Sequence, residues 1–425
     1  MTATTTVLES RRPAQSGLPV PEPGLTPRQI VARAEALRPR LLERQAETEA
    51  LTWYPEATHQ EFLDAGFYRI LQPRRFGGYQ FDTPTFFRVV MEIARGCPST
   101  AWCYCLSSAH IMQIAGLFED AALGGIIGPD GDFRAGSYGF HGGALTPVEG
   151  GWRITGKWPY ASGAPYSTHF IGQGYLPPET DGGAPVEILY VLPRSEWELC
   201  GDWGDVMGLK GSGSHSVQAR DGFLPAANVV RANLVAGRTD GAPARSHEVP
   251  VYAGRMAAFF CCELVSVAVG AAKGALDEYA RLITTKTATM SPGTLRVDLA
   301  DYQRYYGQAT AKIAAAEAVV LHAAAEQMEM ARRAAEEAEP YPAEADMRHL
   351  VAVLEAGRLA WDAVQGILFR TGGSSAARDG QRMQRYLRDL ATYWTHNAAA
   401  TDDSFFVNYA KLVFGKGPGS GGTAA

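Results

Sequence analysis

The spacing of apolar residues changes twice along the chain. In residues 83–96 and 99–116 apolar side chains recur every three or four positions, which predicts helices in the first third. Residues 131–245 hold 21 of the 46 glycines and short β-prone runs such as EILYVLP, which predicts turn-rich antiparallel strands. Long helical patterns then return, separated by the breakers TMSPGT, EPYP and TGGSSAARDG, at about 251–287, 295–337, 344–370 and 378–412.

This order predicts an α+β fold with three domains. They are an N-terminal helical domain, a central antiparallel β-sandwich or barrel, and a C-terminal four-helix bundle, because long helices with short connections form antiparallel bundles. The expected boundaries are a disordered tail at 1–24, the helical domain at 25–130, the β domain at 131–245, and the bundle with a flexible tail at 246–425.

Composition and charge make several classes of partner and site poor candidates. Of the 425 residues 46% are apolar and 20% are charged, and the net charge is −6 with no basic blocks, so nucleic acid and anionic membrane surfaces are poor candidate partners. We see no run near the roughly 20 apolar residues of a membrane helix and no signal peptide, which favours a cytoplasmic protein. The six cysteines fit neither zinc spacing nor a secreted disulfide framework, so reduced thiols and no metal site are expected.

Several motifs occur together in a recognisable order, and neither a P-loop nor a strand-associated GxGxxG is found among them. The motifs are PRRFGG (73–78), EIARGCPSTAW (92–102), GGWRITGKWPYASG (150–163), WGDVMGLKGSGSHSV (203–217), VGAAKGALDEY (269–279) and RTGGSSAARDGQRMQRYLRD (370–389). Together they resemble the acyl-CoA dehydrogenase fold from about residue 25 onwards. That superfamily contains flavin dehydrogenases and flavin-dependent monooxygenases.

The resemblance is greater to the monooxygenases. Many dehydrogenases carry a YEGT-like segment with the base glutamate after the Arg-Asp of the final helix, and a TEPxAGSD-like flavin loop; this chain has RDLATYWTHNAAATDD and RAGSYGFHGG instead. The monooxygenase branch has a histidine after that Arg-Asp, a second one after STAW, and a W-x-[FY]-x-SG segment. Here these are His396, His110 and Trp158 to Gly163. The chain is therefore similar to group D two-component monooxygenases, such as the oxygenase components of 4-hydroxyphenylacetate 3-hydroxylase and 3-hydroxy-9,10-secoandrostatrienedione hydroxylase.

The resemblance implies roles for particular residues. Ser162 would hydrogen-bond flavin N5, with Gly163 allowing the backbone to approach the ring. His110 and Ser137 would contact a phenolic hydroxyl, and His396 would accept the phenol proton or orient the phenol. Trp102, Leu106 and His110 step by four and so share a face. Further flavin contacts are expected from Trp102, Trp158, Arg255, Gly372, Gly373, Ser374 and Ser375.

The implied activity is that of an oxygenase component hydroxylating a small aromatic, phenolic molecule through a flavin C4a-hydroperoxide. Reduced FMN or FAD would come from a separate NAD(P)H:flavin reductase, with dioxygen as co-substrate and a homotetramer as the assembly. An amine N-hydroxylase, an acyl-CoA dehydrogenase or oxidase with a relocated base, and a flavin-free binding protein remain alternatives. Arg388 and Asp389 are expected to be structural, pairing with neighbouring helices in the bundle.

Overall fold

The computed structural model describes residues 21–178, 180, 182–232, 238–239, 250–337, 339 and 341–416. Most of the expected N-terminal tail and the end of the expected C-terminal tail lie outside these residues. The backbone N–H of Glu22, however, donates to the Tyr79 hydroxyl at 3.1 Å, so the last residues of the predicted tail already pack on the helical domain.

Helices form the first part of the fold, as the apolar spacing predicts. They are α1 Pro27–Glu43, α2 Gln45–Leu51, α3 Glu56–Ala65, α4 Thr83–Gly96, α5 Pro98–Ser108, α6 Ile111–Leu117 and α7 Asp120–Ile127. The Asp82 side chain caps α4 by accepting the Thr85 N–H, and Pro84 occupies the first turn, where no intrahelical N–H is needed. Nearly every residue of α4 and α5 is buried, so these two helices lie at the centre of the molecule.

Two four-stranded sheets form the middle part of the fold. The strands are β1 Ala135–His141, β2 Ala144–Val148, β3 Gly151–Trp158, β4 His169–Leu176, β5 Val186–Pro193, β6 Glu198–Leu199, β7 Val217–Pro225 and β8 Val229–Val230. They pair in the orders β1-β4-β5-β8 and β2-β3-β7-β6 around a shared apolar core. One pair departs from the predicted antiparallel pattern: β1 and β4 are parallel, because the chain crosses to the second sheet for β2 and β3 before it returns.

The C-terminal part is a helical bundle preceded by the short pair β9 Arg238–Thr239 and β10 Gly254–Arg255. Its helices are α8 Ala257–Thr285, α9 Ala300–Glu336, α10 Ala343–Trp361, α11 Arg382–Trp394, α12 Asn397–Ala400 and α13 Asp402–Val413. The hairpin β11 Thr287–Ala288 and β12 Ser291–Leu295 joins α8 to α9. After α10 the helix continues through a π-helical stretch, Asp362–Phe369, to Gly372.

Two predictions about this bundle are wrong. Helix α8 is long and apolar enough to be a membrane-span candidate, contrary to the expectation that no stretch approaches that length; 83% of its apolar window is buried inside the protein, as in a core helix. The predicted last helix at 378–412 is broken, because His396 is extended (φ −63°, ψ 142°) between α11 and α12. Asp389 and His396 are therefore not on one continuous helix.

Candidate active site

Trp102 and Ser162 meet where the helical domain contacts the β domain. Trp102 lies on α5, and Ser162 lies in the turn after β3. The indole Nε1–H donates to Ser162 Oγ at 3.1 Å. The indole is buried, whereas Ser162 is half-buried.

The Ser162 hydroxyl is the first of three serine hydroxyls in contact, and the other two, Ser214 and Ser212, were not identified from the sequence. Ser162 Oγ lies 2.7 Å from Ser214 Oγ, which lies 2.7 Å from Ser212 Oγ. Both serines belong to the loop between β6 and β7, where the alternating sequence GSGSHS gives the only sequence-level signal. The two hydroxyls meet in a turn, in which Gly213 between them has φ +62°.

His110 forms the second part of the site. It lies just beyond α5, and its Nδ1 is 2.7 Å from the carbonyl oxygen of Ala135 on β1. A carbonyl only accepts, so Nδ1 carries the hydrogen and Nε2 of the neutral ring is left as an acceptor. Ser137 Oγ lies 3.3 Å from that Nε2, which brings together the two residues expected to bind substrate. Burial lowers the pKa of His110 below its usual value and so favours the neutral ring.

His396 completes the group from the bundle side. Its ring meets the Trp102 ring edge to face, with centroids 5.5 Å apart. Its Nδ1 accepts the Ala398 N–H at 3.3 Å, so the hydrogen of the neutral ring is on Nε2. The side chain is solvent-accessible, but surrounding protein desolvates it enough to lower its pKa. In this arrangement His396 is a hydrogen-bond donor, which favours orienting a phenol over accepting its proton.

The surroundings of Trp158 and Gly163 differ from those expected of flavin contacts. The Trp158 side chain is fully buried in the core between the sheets, where it packs against Phe170. Gly163 has φ +80°, and a Cβ there would lie 2.6 Å from the carbonyl oxygen of Cys103. This glycine is therefore required for close packing on α5, whereas the prediction gave flavin approach as the reason.

The other predicted flavin residues lie on separate elements. Arg255 is on β10, and its Nε donates to the carbonyl oxygen of Tyr341. The turn of Gly372, Gly373, Ser374 and Ser375 lies beyond the π-helical stretch, where Arg296 donates to the Gly372 carbonyl oxygen at 2.7 Å. No hydrogen bond or ring contact of the described residues joins these groups to Ser162, and their roles stay predictions.

Arg388 and Asp389 connect the bundle to the loop that carries Ser212 and Ser214. Asp389 Oδ1 accepts the Leu209 N–H at 2.6 Å, and Arg388 donates to the Met207 carbonyl oxygen at 2.7 Å and to Glu49 at 2.9 Å. Burial raises the pKa of Asp389 to about 7. The pair is structural in this arrangement, but much of its contact is with the loop rather than with neighbouring helices of the bundle.

Comparison with known proteins gives the family. Models of the N-terminal and C-terminal domains of acyl-CoA dehydrogenase match residues 28–118 and 263–401. The chain is 30% identical over 386 residues to the oxygenase subunit HsaA of a flavin-dependent monooxygenase from Rhodococcus jostii (strain RHA1), covering 90% of this chain and 97% of that protein. The chain belongs to the flavin-dependent monooxygenases of the acyl-CoA dehydrogenase fold. It is an oxygenase component, as the two histidines and the W-x-[FY]-x-SG segment predicted.

Two further relatives support the assignment of this chain to the flavin-dependent monooxygenases. Indole-3-acetate monooxygenase of Pseudomonas putida is 27% identical over 360 residues, covering 84% of this chain and 86% of that protein. The crystal structure of 3-HSA hydroxylase from Rhodococcus sp. RHA1 superposes with a TM-score of 0.81 at 26% identity, covering 92% of this chain and 98% of that one. The three-part fold predicted from the sequence is confirmed, and the names of relatives as oxygenase subunits imply a separate reductase.

Proposed function

We propose that this monooxygenase hydroxylates a small phenolic molecule with reduced FMN or FAD delivered by a separate NAD(P)H:flavin reductase, in the cytoplasm. The observation that carries the proposal is that Trp102 contacts both Ser162, the serine expected to hold flavin, and His396. The other histidine, His110, pairs with Ser137 and has the opposite hydrogen-bonding character to His396. Ser162 is half-buried, and its hydroxyl has one hydrogen-bonding position left beyond its contacts with Trp102 and Ser214.

The residues fit a flavin ring at Ser162. Its oxygen uses one acceptor position for Trp102 and one contact for Ser214, which leaves one hydrogen-bonding position. Ser162 would hold flavin N5 there, with Trp102 excluding water on the protein side. Bound reduced flavin, together with dioxygen, supplies the oxygen atom transferred to the substrate.

The two histidines would have different roles towards the phenol, one as proton acceptor and the other as hydrogen-bond donor. His110 presents an unprotonated Nε2, so it takes the phenol proton and raises the electron density of the ring at the carbon that is attacked. Ser137, whose Oγ lies 3.3 Å from that Nε2, would hydrogen-bond the same hydroxyl. His396 donates from Nε2 and orients the substrate or the oxygen being transferred.

The assembly proposed is a homotetramer built on the bundle. Helix α13 and the residue after it expose Val407 (51%), Val413 (45%) and Phe414 (74%), apolar surface of the kind that marks protein contacts. A neighbouring subunit would also allow the turn at 372–375 to contact flavin, since none of the described hydrogen bonds or ring contacts joins that turn to Ser162. Sedimentation equilibrium should give a tetramer; a monomer with full flavin affinity would refute this assembly.

The activity is tested by adding dioxygen to protein loaded anaerobically with reduced FMN or FAD in the presence of a panel of phenols, aryl amines and acyl-CoA thioesters. We expect ring-hydroxylated phenols by mass spectrometry. N-hydroxylated amines with untouched phenols would favour the amine hydroxylase. Reduction of protein-bound oxidised flavin by an acyl-CoA, in a separate anaerobic sample, would favour the dehydrogenase.

A further inference from the structure

The segment that carries His396 is held on both sides by one face of α10. Trp394 ends α11 two residues before His396, and Asp402 begins α13 six residues after it. We propose that Arg358 and Trp361 of α10 are positioning residues that hold His396 in the site, and so determine how much of the dioxygen consumed enters the product. This inference rests on the proposed function, because it takes His396 as the residue that orients the phenol or the oxygen being transferred.

The contact after His396 is an ion pair between α10 and α13. Arg358 donates to Asp402 Oδ2 from Nε at 3.0 Å and from Nη2 at 2.7 Å. The same guanidinium lies over the Phe406 ring, 5.3 Å from its centroid. Asp402 and Phe406 are four residues apart in α13 and therefore lie on one face of it. A single arginine thus binds the face of α13 that packs on α10.

The contact before His396 is a pair of stacked indoles. The Trp361 and Trp394 rings are nearly parallel, with an interplanar angle of 8° and centroids 5.8 Å apart. The preceding residue, Tyr393, packs on Trp102 with centroids 6.4 Å apart, so the end of α11 lies between α10 and the indole of the site. Arg358 and Trp361 are three residues apart in α10, which places the two contacts on one face of this helix.

The segment between the two contacts is short and weakly structured. His396 lies outside any helix, and α12 has four residues, too few for a helix that is stable by itself. Of those four residues only Ala399 is buried. The Ala399 and Ala400 N–H groups donate to the His396 carbonyl oxygen at 2.9 and 2.8 Å, so His396 and α12 move as a unit. The docking of α13 on α10 therefore limits how far His396 can leave Trp102.

Arg332 offers a matched control. Its side chain is 38% exposed, compared with 37% for Arg358, and it pairs with Glu329, Glu336 and Glu337 at the end of α9. Arg332→Ala removes an equally exposed arginine and its ion pairs, but none of the contacts that join α10 to α11 or α13.

The first experiment measures product formed per dioxygen consumed, with reduced flavin and a phenol. We expect Arg358→Ala to lower this ratio about two- to fivefold, the range for a partly exposed ion pair, and to change the dissociation constant of reduced flavin less than about twofold. Arg358→Lys should show a smaller loss, because lysine keeps the charge but not the two parallel N–H groups. Arg332→Ala should show none.

A double variant shows whether Arg358 acts through His396. If it does, Arg358→Ala lowers the ratio in the wild type but not in the His396→Ala protein, because the group that it positions is already absent. A further loss of the same size in the double variant would show that Arg358 acts by another route, such as folding or assembly. That result, or a wild-type ratio in Arg358→Ala, would overturn the inference.

Hydrogen exchange of peptides from 396–413 tests the same contacts without substrate. We expect faster exchange of the Ala399 and Ala400 amides in Arg358→Ala and in Trp361→Leu, and no change in Arg332→Ala. Unchanged exchange in both α10 variants would overturn the inference while leaving the proposed function intact. A wild-type protein that hydroxylates no phenol would instead refute the proposed function, whatever the exchange rates. Melting temperatures of all variants separate local opening from a loss of folding.

Discussion

Trp102 and His396 meet edge to face, with ring centroids 5.5 Å apart, although they come from the helical domain and from the end of the bundle. The same indole donates its N–H to Ser162 from the β domain. One side chain thus links the residue proposed to hold flavin with the residue proposed to orient the substrate.

Trp102→Phe separates these two contacts. Phenylalanine keeps an aromatic ring beside His396 but cannot donate to Ser162. We expect reduced-flavin affinity to fall about two- to tenfold, the range for one hydrogen bond, and the share of dioxygen released as hydrogen peroxide to rise. Peroxide and product yields per oxygen consumed measure this. An unchanged coupling ratio would show that the indole N–H plays no part.

His110→Ala should remove proton transfer from the phenol. General base catalysis typically contributes about 10²- to 10⁴-fold, so we expect kcat for hydroxylation to fall within that range. Oxygen consumption with release of peroxide should persist, because Ser162 and Trp102 are untouched. Ser137→Ala, which retains His110, is the milder comparison. Full product yield in His110→Ala would exclude His110 as the base.

The pH dependence follows from the lowered pKa values of both histidines. Desolvation lowers the pKa of His110 and of His396, so both rings stay neutral when the pH falls to their usual value of about 6.5. We expect kcat/KM for the phenol to stay constant from neutral pH to about 6.5 and to decline only at lower pH. A decline centred above pH 7 would contradict the neutral assignments.

Asp389 gives a prediction about stability. Its pKa is raised to about 7 by burial, whereas the unfolded value is about 3.9. The folded protein therefore retains a proton that the unfolded chain loses, so this group makes the free energy of unfolding fall as the pH rises from about 4 to 7. Asp389→Asn should abolish that contribution and still accept the Leu209 N–H. Denaturant unfolding at several pH values measures the difference.

Asp389→Ala is the counterpart to that substitution. It leaves the Leu209 N–H buried without its acceptor, at a cost of about 1–3 kcal/mol. If Asp389→Asn and Asp389→Ala destabilised the protein equally, the contact between Asp389 and the loop would not be what holds Leu209.

Local sequence patterns account for much of the site but not all of it. The YASG turn and the step from Trp102 to Leu106 were visible in the sequence, but α5 ends at Ser108, so His110 lies beyond the helix that the spacing predicted. The serine chain was not, because Ser214 reaches Ser162 only when the loop after β6 packs against Thr52. The run GSGSHS shows that several hydroxyls are close together in sequence, but it does not show what they face.

Two predictions about the fold are wrong for the same reason, because they depend on contacts between distant parts of the chain. The run from Thr395 to Ala400 has no glycine or proline and reads as helix, yet the chain breaks at His396, where the imidazole caps Ala398 and packs on Trp102. The parallel pairing of β1 with β4 depends on where the chain crosses between sheets, which strand patterns do not record. Both features depend on contacts between distant parts of the chain.

The most direct test of the central claim is isotope labelling of the product. The protein is loaded with reduced flavin and mixed with the best phenol from the panel under ¹⁸O₂ in unlabelled water. The mass of the product is then measured by mass spectrometry. We expect one ¹⁸O atom per hydroxylated product, and a loss of product together with its label in His110→Ala. A product without ¹⁸O, or oxidation of substrate with no oxygen inserted, would contradict the assignment as a monooxygenase.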